Sequence, residues 1–237
     1  MTKYIKALSL FLTACIAISC GKDNDANFTL KGNIKGLKKG MVYLQKNGDS
    51  TDIIDLDSVA VMGEKEFVLQ TNLKEPILLY LKLFKNDGEE HYIPFFGDKG
   101  ETTINTSLKL FSYDAEIKGS KTQDLLNEYT KVMSNFKDQN LEIIEQSLLA
   151  KKANDTIASD SLKKRSTTLI KRKYAYTIQF ALNHKDNIIA PYLALYEVPA
   201  ANTVYIDSIY NGLTKDIKTS FYGKKLAKLI ETRANIE

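Results

Sequence analysis

The chain has 237 residues, with 33 Lys and Arg against 29 Asp and Glu, 13 tyrosines, no tryptophan and two cysteines. So even a balance excludes the basic footprint of a nucleic-acid-binding protein, and the length suffices for one large or two small domains. Both cysteines, Cys15 and Cys20, lie near the N-terminus; beyond them the chain can build no disulfide, no Cys-X-X-Cys pair, no thiolate nucleophile and no cysteine-based metal site.

Residues 1–19 read as a lipoprotein signal peptide. Lys3 and Lys6 form a basic start, Ala7 to Ile18 form a nearly unbroken apolar run, and small residues precede Cys20. The run is about 12 residues, short of the roughly 20 that span a bilayer as a helix. Leu12-Thr13-Ala14-Cys15 fits the lipobox pattern better than Ala17-Ile18-Ser19-Cys20. Cutting at Cys15 would nevertheless leave a hydrophobic core below the usual 7–15 residues and an apolar mature start. Cys20 is therefore the expected lipidation site and membrane anchor, with residues 20–27 as a polar tether. Asp23 and Asp25 behind it resemble the surface-export signal of some Bacteroidetes lipoproteins. The expected location is the bacterial cell envelope, on the periplasmic face of the outer membrane or at the cell surface.

From residue 28 to 119 the chain reads as strands. Phe28 to Leu30, Met41 to Leu44, Ile53 to Val61, Phe67 to Leu69, Ile77 to Phe84, Tyr92 to Phe96, Thr102 to Ile104 and Ala115 to Ile117 are short runs rich in β-branched and aromatic residues. Turn signals separate them at Gly36, Gly40, Asn47-Gly48-Asp49, Gly63-Glu64, Asn86-Asp87-Gly88 and Gly97-Asp98-Lys99-Gly100. Such spacing predicts an antiparallel β-sandwich or jelly-roll-like domain. Pro76 and Pro94 push their strands toward edges or bulges.

Residues 120–237 switch to a helical period, so the expected class is α+β, with the sandwich followed by an all-helical segment. Ser120 and Gln123 form a capping box, after which Leu125, Tyr129, Val132, Met133, Phe136, Ile143, Ile144 and Leu148 recur at three- and four-residue steps. A second helix over 156–182 places Leu162, Leu169, Tyr176 and Phe180 on one face, with Asn154-Asp155 as turn and cap. The two helices should pair antiparallel. Shorter helices are predicted over 191–198, over 203–213 behind Asn202, and over 221–233. Lys163-Lys164-Arg165 and Lys171-Arg172-Lys173 form a basic stripe that reads as a solvated face or as a contact for anionic lipid headgroups.

No Gly-X-Ser-X-Gly elbow, Walker loop, dinucleotide fingerprint or His-Glu-X-X-His is present. Neighbours in a strand face opposite ways, so of Glu89-Glu90-His91 only Glu89 and His91 could converge on a metal; His184 reads as a helix C-terminal residue favoured by the dipole. Asp55 and Asp57, two apart on a strand, are expected on one face, a spacing open to acid–base work or calcium but more commonly a wet sheet surface. The tyrosines could stack on sugar rings, although Tyr43, Tyr80, Tyr129 and Tyr176 sit at core phases of their elements. No catalytic residue, cofactor site or metal site is assigned.

The glycine-strand pattern carries a resemblance. Phe28 to Leu37, Gly40, Val42-Tyr43-Leu44, Asp57-Ser58, Phe67, Pro76, the Gly97–Gly100 turn and Lys118-Gly119-Ser120 resemble the uncharacterised N-terminal domain of Bacteroidetes thioredoxin-like lipoproteins, which look like membrane-anchored disulfide oxidoreductases. Ser220 to Lys224 look like the stretch immediately before their thioredoxin fold. The chain given ends at Glu237, where that fold would begin, and lacks its Cys-X-X-Cys motif, so redox activity is not carried over. The expectation is a lipid-anchored envelope binding or interaction module without catalysis of its own, whose partner is an envelope protein or ligand. The alternative is an accessory subunit that docks onto a separate thioredoxin-like protein.

Overall fold

Eight strands precede six helices in the computed structural model, which describes residues 26–48, 52–64, 66–85 and 89–235. Cys15, Cys20, the leader and the Asn86-Asp87-Gly88 turn lie outside the described residues. Strands β1 (Phe28–Lys35), β4 (Glu66–Thr71), β7 (Gly100–Ser107) and β8 (Glu116–Lys118) form one sheet in the order β4-β1-β7-β8. Strands β2 (Gly40–Asn47), β3 (Ile53–Val61), β5 (Ile77–Phe84) and β6 (Glu90–Gly97) form the second, in the order β3-β2-β5-β6. All pairings are antiparallel except β1 with β7, which run parallel.

Alternation explains the sandwich. Phe28, Leu30 and Ile34 of β1, Val42 and Leu44 of β2, Leu79, Leu81 and Leu83 of β5, Ile93 and Phe95 of β6 and Ile104 of β7 all point into one shared core. Each residue pair two apart shares a face, so the two sheets bury one face each against the other.

Two sequence expectations fail in β3 and β5 for identifiable reasons. Leu44 pairs with Asp57 but Gln45 with Asp55, so Leu56 is an extra residue in a β-bulge. The bulge flips the phase: Leu56, Val59 and Val61 pack on the core, and Asp55 and Asp57 end on opposite faces rather than one. Pro76 falls just before β5, which is a central strand, whereas Pro94 does sit in an edge strand, β6.

Six helices follow: α1 (Lys121–Lys152), α2 (Thr156–Asn183), α3 (Ile189–Tyr196), α4 (Thr203–Gly212), α5 (Lys215–Thr219) and α6 (Phe221–Ala234). The five-residue α5 had no periodic signal of its own. Helices α1 and α2 pair antiparallel around Phe136, Ile143, Ala150, Leu162 and Leu169, and Asp155 caps α2 by accepting the Ala158 N–H. Ile144 and Leu148, expected in that seam, are instead turned outward. At about 100° per residue they fall roughly 100° and 140° round the helix from Ile143.

The sandwich meets the helices at Phe96. Its side chain points away from the sandwich core, yet it is fully buried among Tyr129, Phe180, Ile189, Leu193 and Tyr222. Ser120 caps α1 by accepting the Gln123 N–H at 3.0 Å, but Gln123 does not close the capping box. Its Oε1 accepts the Phe96 N–H at 2.7 Å, while Ser120 Oγ donates to the Phe96 carbonyl. The turn into α1 needs Gly119, at φ +129, where a Cβ would collide with the Glu101 carbonyl oxygen.

Phe96→Ala is expected to cost about 3–5 kcal/mol of folding free energy, and Gly119→Ala more than about 1 kcal/mol. Urea denaturation followed by circular dichroism measures both. An unchanged midpoint for Phe96→Ala would show that the helices do not depend on this contact.

Candidate functional site

The outer face of the second sheet is only partly covered, and the helices stop across its middle. Leu78 and Phe96, register partners on β5 and β6, lie under α3 and α6. The next outward residue of β5, Tyr80, is half-buried at the boundary, and Asn47 Nδ2 donates to its hydroxyl at 3.2 Å. A cleft of about 130 Å³ opens there, lined by Asn47, Ile77, Leu78, Tyr80, Tyr192, Tyr196, Phe221, Tyr222 and Lys225. It adjoins a larger cavity of about 360 Å³ under the end of the β2–β3 hairpin, which shares Asn47, Ile77 and Phe221 with it and adds Lys46, Asn72 and Glu75.

Aromatic rings form the wall. Tyr192 stands edge-on to Phe96 with centroids 5.0 Å apart, and Tyr222 edge-on to Tyr192 at 5.5 Å. Tyr196 lies 5.0 Å from Tyr192, one helical turn along α3, and Lys225 Nζ sits 4.3 Å over the Phe221 ring. Such edge-to-face pairs contribute roughly 0.5–1.5 kcal/mol each beyond burial, so the wall is stiff before any ligand arrives.

Hydrogen bonds fix α6 in place. Tyr222 accepts the Leu78 N–H at 3.2 Å, and the Glu75 carboxylate accepts the Phe221 N–H at 3.0 and 3.1 Å. A carboxylate at a helix N-terminus is favoured by the dipole, so the β4–β5 connection and α6 hold each other. Gly223 lets α6 abut α5, since a Cβ there would strike the Ile217 carbonyl oxygen.

The phenols of this wall hold their protons. Burial pushes Tyr192 up to about 12 and Tyr222 further still, and it raises Tyr196 as well, with Tyr80 adding to all three. At neutral pH the wall therefore offers ring faces and neutral hydroxyls.

The residues singled out in the sequence lie elsewhere. His91 Nε2 comes within 3.6 Å of Glu89 at the exposed start of β6, as their shared face predicts. Among the described residues no group of three or more His, Cys, Asp or Glu could hold a metal ion. Asp55 accepts from Gln45 Nε2 at 2.6 Å and Asp57 from the Gln70 N–H of β4 at 2.8 Å, so both carboxylates stitch strands together. His184 caps α2 beside the Phe180 ring. Tyr129 is buried and shares a hydrogen bond with Thr177, and Tyr176 stacks on it.

Tyr43 and Tyr80, by contrast, face outward from the second sheet rather than into the core. Near Tyr43, Lys82 bonds Glu90 at 2.6 Å, which raises the lysine and lowers the carboxylate. The basic stripe divides: Arg165 bonds Gln146, Lys173 pairs with Glu197, and Lys164, Lys171 and Arg172 are exposed. Tyr192 and Tyr196 belong to no motif in the sequence, and Phe221 and Tyr222 enter it only within the Ser220–Lys224 stretch of the family resemblance, with no site role. The sequence signals for a shared ring cluster are the four-residue step of Tyr192 and Tyr196 and the doublet Phe221-Tyr222.

Residues 28–126 match the model of a family described as a domain of unknown function, DUF4369. The matched stretch takes in all eight strands and the first six residues of α1, with the Ser120–Gln123 clamp on Phe96. No curated protein and no solved structure matches the chain.

Because Tyr192 loses its proton less readily in the folded state than at its ordinary value of 10, the folded protein binds more protons than the unfolded chain above that pH. Stability contributed by its protonated state is thus present below pH 10 and falls between about 10 and 12, by an amount on the order of 2 kcal/mol for this phenol. Urea unfolding free energies measured across that range should decline less steeply in Tyr192→Phe than in the parent.

Proposed function

We propose that the protein is a lipid-anchored module of the bacterial envelope that binds a partner or ligand through the sheet–helix cleft and performs no chemistry of its own. The observation that carries this reading is the wall of Tyr192, Tyr196, Phe221 and Tyr222 beside Tyr80, its four rings linked by mutual contacts and the phenols of Tyr192, Tyr196 and Tyr222 raised by burial. Ring faces bordered by hydroxyls, one amide and one ammonium suit a ligand with an apolar or sugar-like face and a hydrogen-bonding edge. The larger cavity beside it, with Glu75 and Lys46 on its rim, would extend the contact for a longer ligand.

The anchored part of the reading rests on the Lys3–Lys6 start, the short apolar run and Cys20. Once lipidated, Cys20 has no free thiol, and no other cysteine lies beyond it in the sequence. Residues 21–237 themselves supply no thiol.

Two measurements test the proposal. Intact mass of protein extracted from membranes should show a chain beginning at Cys20 with added acyl mass; an unmodified start there would defeat the anchored reading. A photocrosslinking side chain placed at Tyr196 should capture a discrete species in cells, and one placed at the exposed Tyr113 should not. Equal capture at both positions would defeat the cleft. Stoichiometric recovery of a thiol–disulfide protein at Tyr196 would identify the module as an accessory subunit of a separate oxidoreductase.

A further inference from the structure

The α1–α2 hairpin carries an apolar face that the fold leaves uncovered. Glu142, Gln146 and Arg165 bond across one side of the seam. At about 100° per residue, Leu141, Ile144 and Leu148 of α1 and Ile170 of α2 fall on the other side. They are 56, 48, 59 and 52% exposed, although none is needed for the seam between the helices. Four large aliphatics grouped this way exceed the scattered exposure normal for a surface.

The charges in this sector are predominantly positive. Lys137 and Lys151 of α1 and Lys163 of α2 project into it, all exposed and without an ion pair among the described residues. One carboxylate borders it, Glu145, which neighbours Leu141 and Leu148 at four- and three-residue steps; Asp160 falls on the back of α2. Aliphatic residues interleaved with an excess of lysines are the composition of an element that lies in a membrane interface. Lysine stems cover apolar surface while their ammonium groups reach outward to phosphate.

We propose that this face of the hairpin rests on an anionic bilayer surface, with Leu141, Ile144, Leu148 and Ile170 at the acyl boundary and the three lysines on lipid phosphates. Charge complementarity selects this occupant: a second copy would bring like-charged lysines together, whereas anionic headgroups attract them. The inference rests on the anchored reading only for bringing the face to a bilayer. A tether of residues 20–27 reaches at most about 28 Å, which keeps the folded part beside the membrane.

The absence of tryptophan from the chain makes a local reporter available. Leu148→Trp, in the full chain carrying Cys15→Ser and Cys20→Ser so that no lipid is attached, is mixed with phosphatidylcholine vesicles with and without phosphatidylglycerol. The emission should shift to the blue with the anionic vesicles only, and the shift should weaken as salt is raised. Adding Lys137→Glu, Lys151→Glu and Lys163→Glu should reduce the vesicle affinity read from that shift by at least about 100-fold, at roughly five-fold for each lysine lost. Unchanged circular dichroism would show that this variant is folded. No shift with anionic vesicles, or an equal shift with neutral ones, overturns the proposal. A shift that grows with protein concentration in the absence of vesicles also overturns it, in favour of a second copy of the chain. Because the reporter sits on the hairpin and both cysteines are replaced, these outcomes are independent of whether the native chain is lipidated.

Discussion

Everything beyond the sandwich is organised around one outward-facing ring at the edge of a sheet. Phe96 belongs to β6, whose inner residues Ile93 and Phe95 already fill the sandwich core, so its own side chain has to be covered from outside. Burying a phenylalanine contributes roughly 1.5–3 kcal/mol, but an edge strand also presents backbone groups that need partners. The start of α1 answers both needs. Gln123 and Ser120 bond the N–H and C=O of Phe96 as a neighbouring strand would, and Tyr129, Ile189, Leu193 and Tyr222 close over the ring.

That constraint fixes where the helices can go and what they leave open. With α1 starting at Phe96 and α2 returning to it through Phe180, the middle of the hairpin is carried clear of the sandwich and meets only itself. Helices α3 and α6 must then seal Phe96 from the other side. Because they do so with tyrosines, the boundary of the covered region becomes a wall of rings beside Tyr80. The cleft and the free hairpin face are thus two consequences of one docking contact. Each leaves apolar surface beyond what the fold itself consumes.

Much of this was legible in the chain. All eight strand runs appear as strands, because turn glycines and β-branched clusters punctuate them locally. The long helix pair is equally plain, since its caps at Ser120 and Asp155 and its seam repeat over many turns. The misplaced residues share a cause. Leu56 forms a bulge, and a single extra residue reverses the facing of everything on one side of it, which is why Asp55 and Asp57 part company. Ile144 and Leu148 fit a helical period, but periodicity does not say which apolar stripe faces a neighbour. Gln123 fits a capping box, yet the Phe96 N–H competes for its side chain.

By itself the sequence determined the class of fold, the order of its elements, the confinement of its thiols to Cys15 and Cys20 and the pattern that points to a lipid anchor. These are properties of local runs and of composition, written in consecutive residues. Only the tertiary structure decided that Tyr80, Tyr192, Tyr196, Phe221 and Tyr222 share a cleft, that Glu75 meets the start of α6 146 positions away, and that Leu141, Ile144, Leu148 and Ile170 remain uncovered. The physical reason is that a side chain's facing is set by which surface packs against it first. Here that surface was the outer face of β6, and no local pattern around Phe96 announces it.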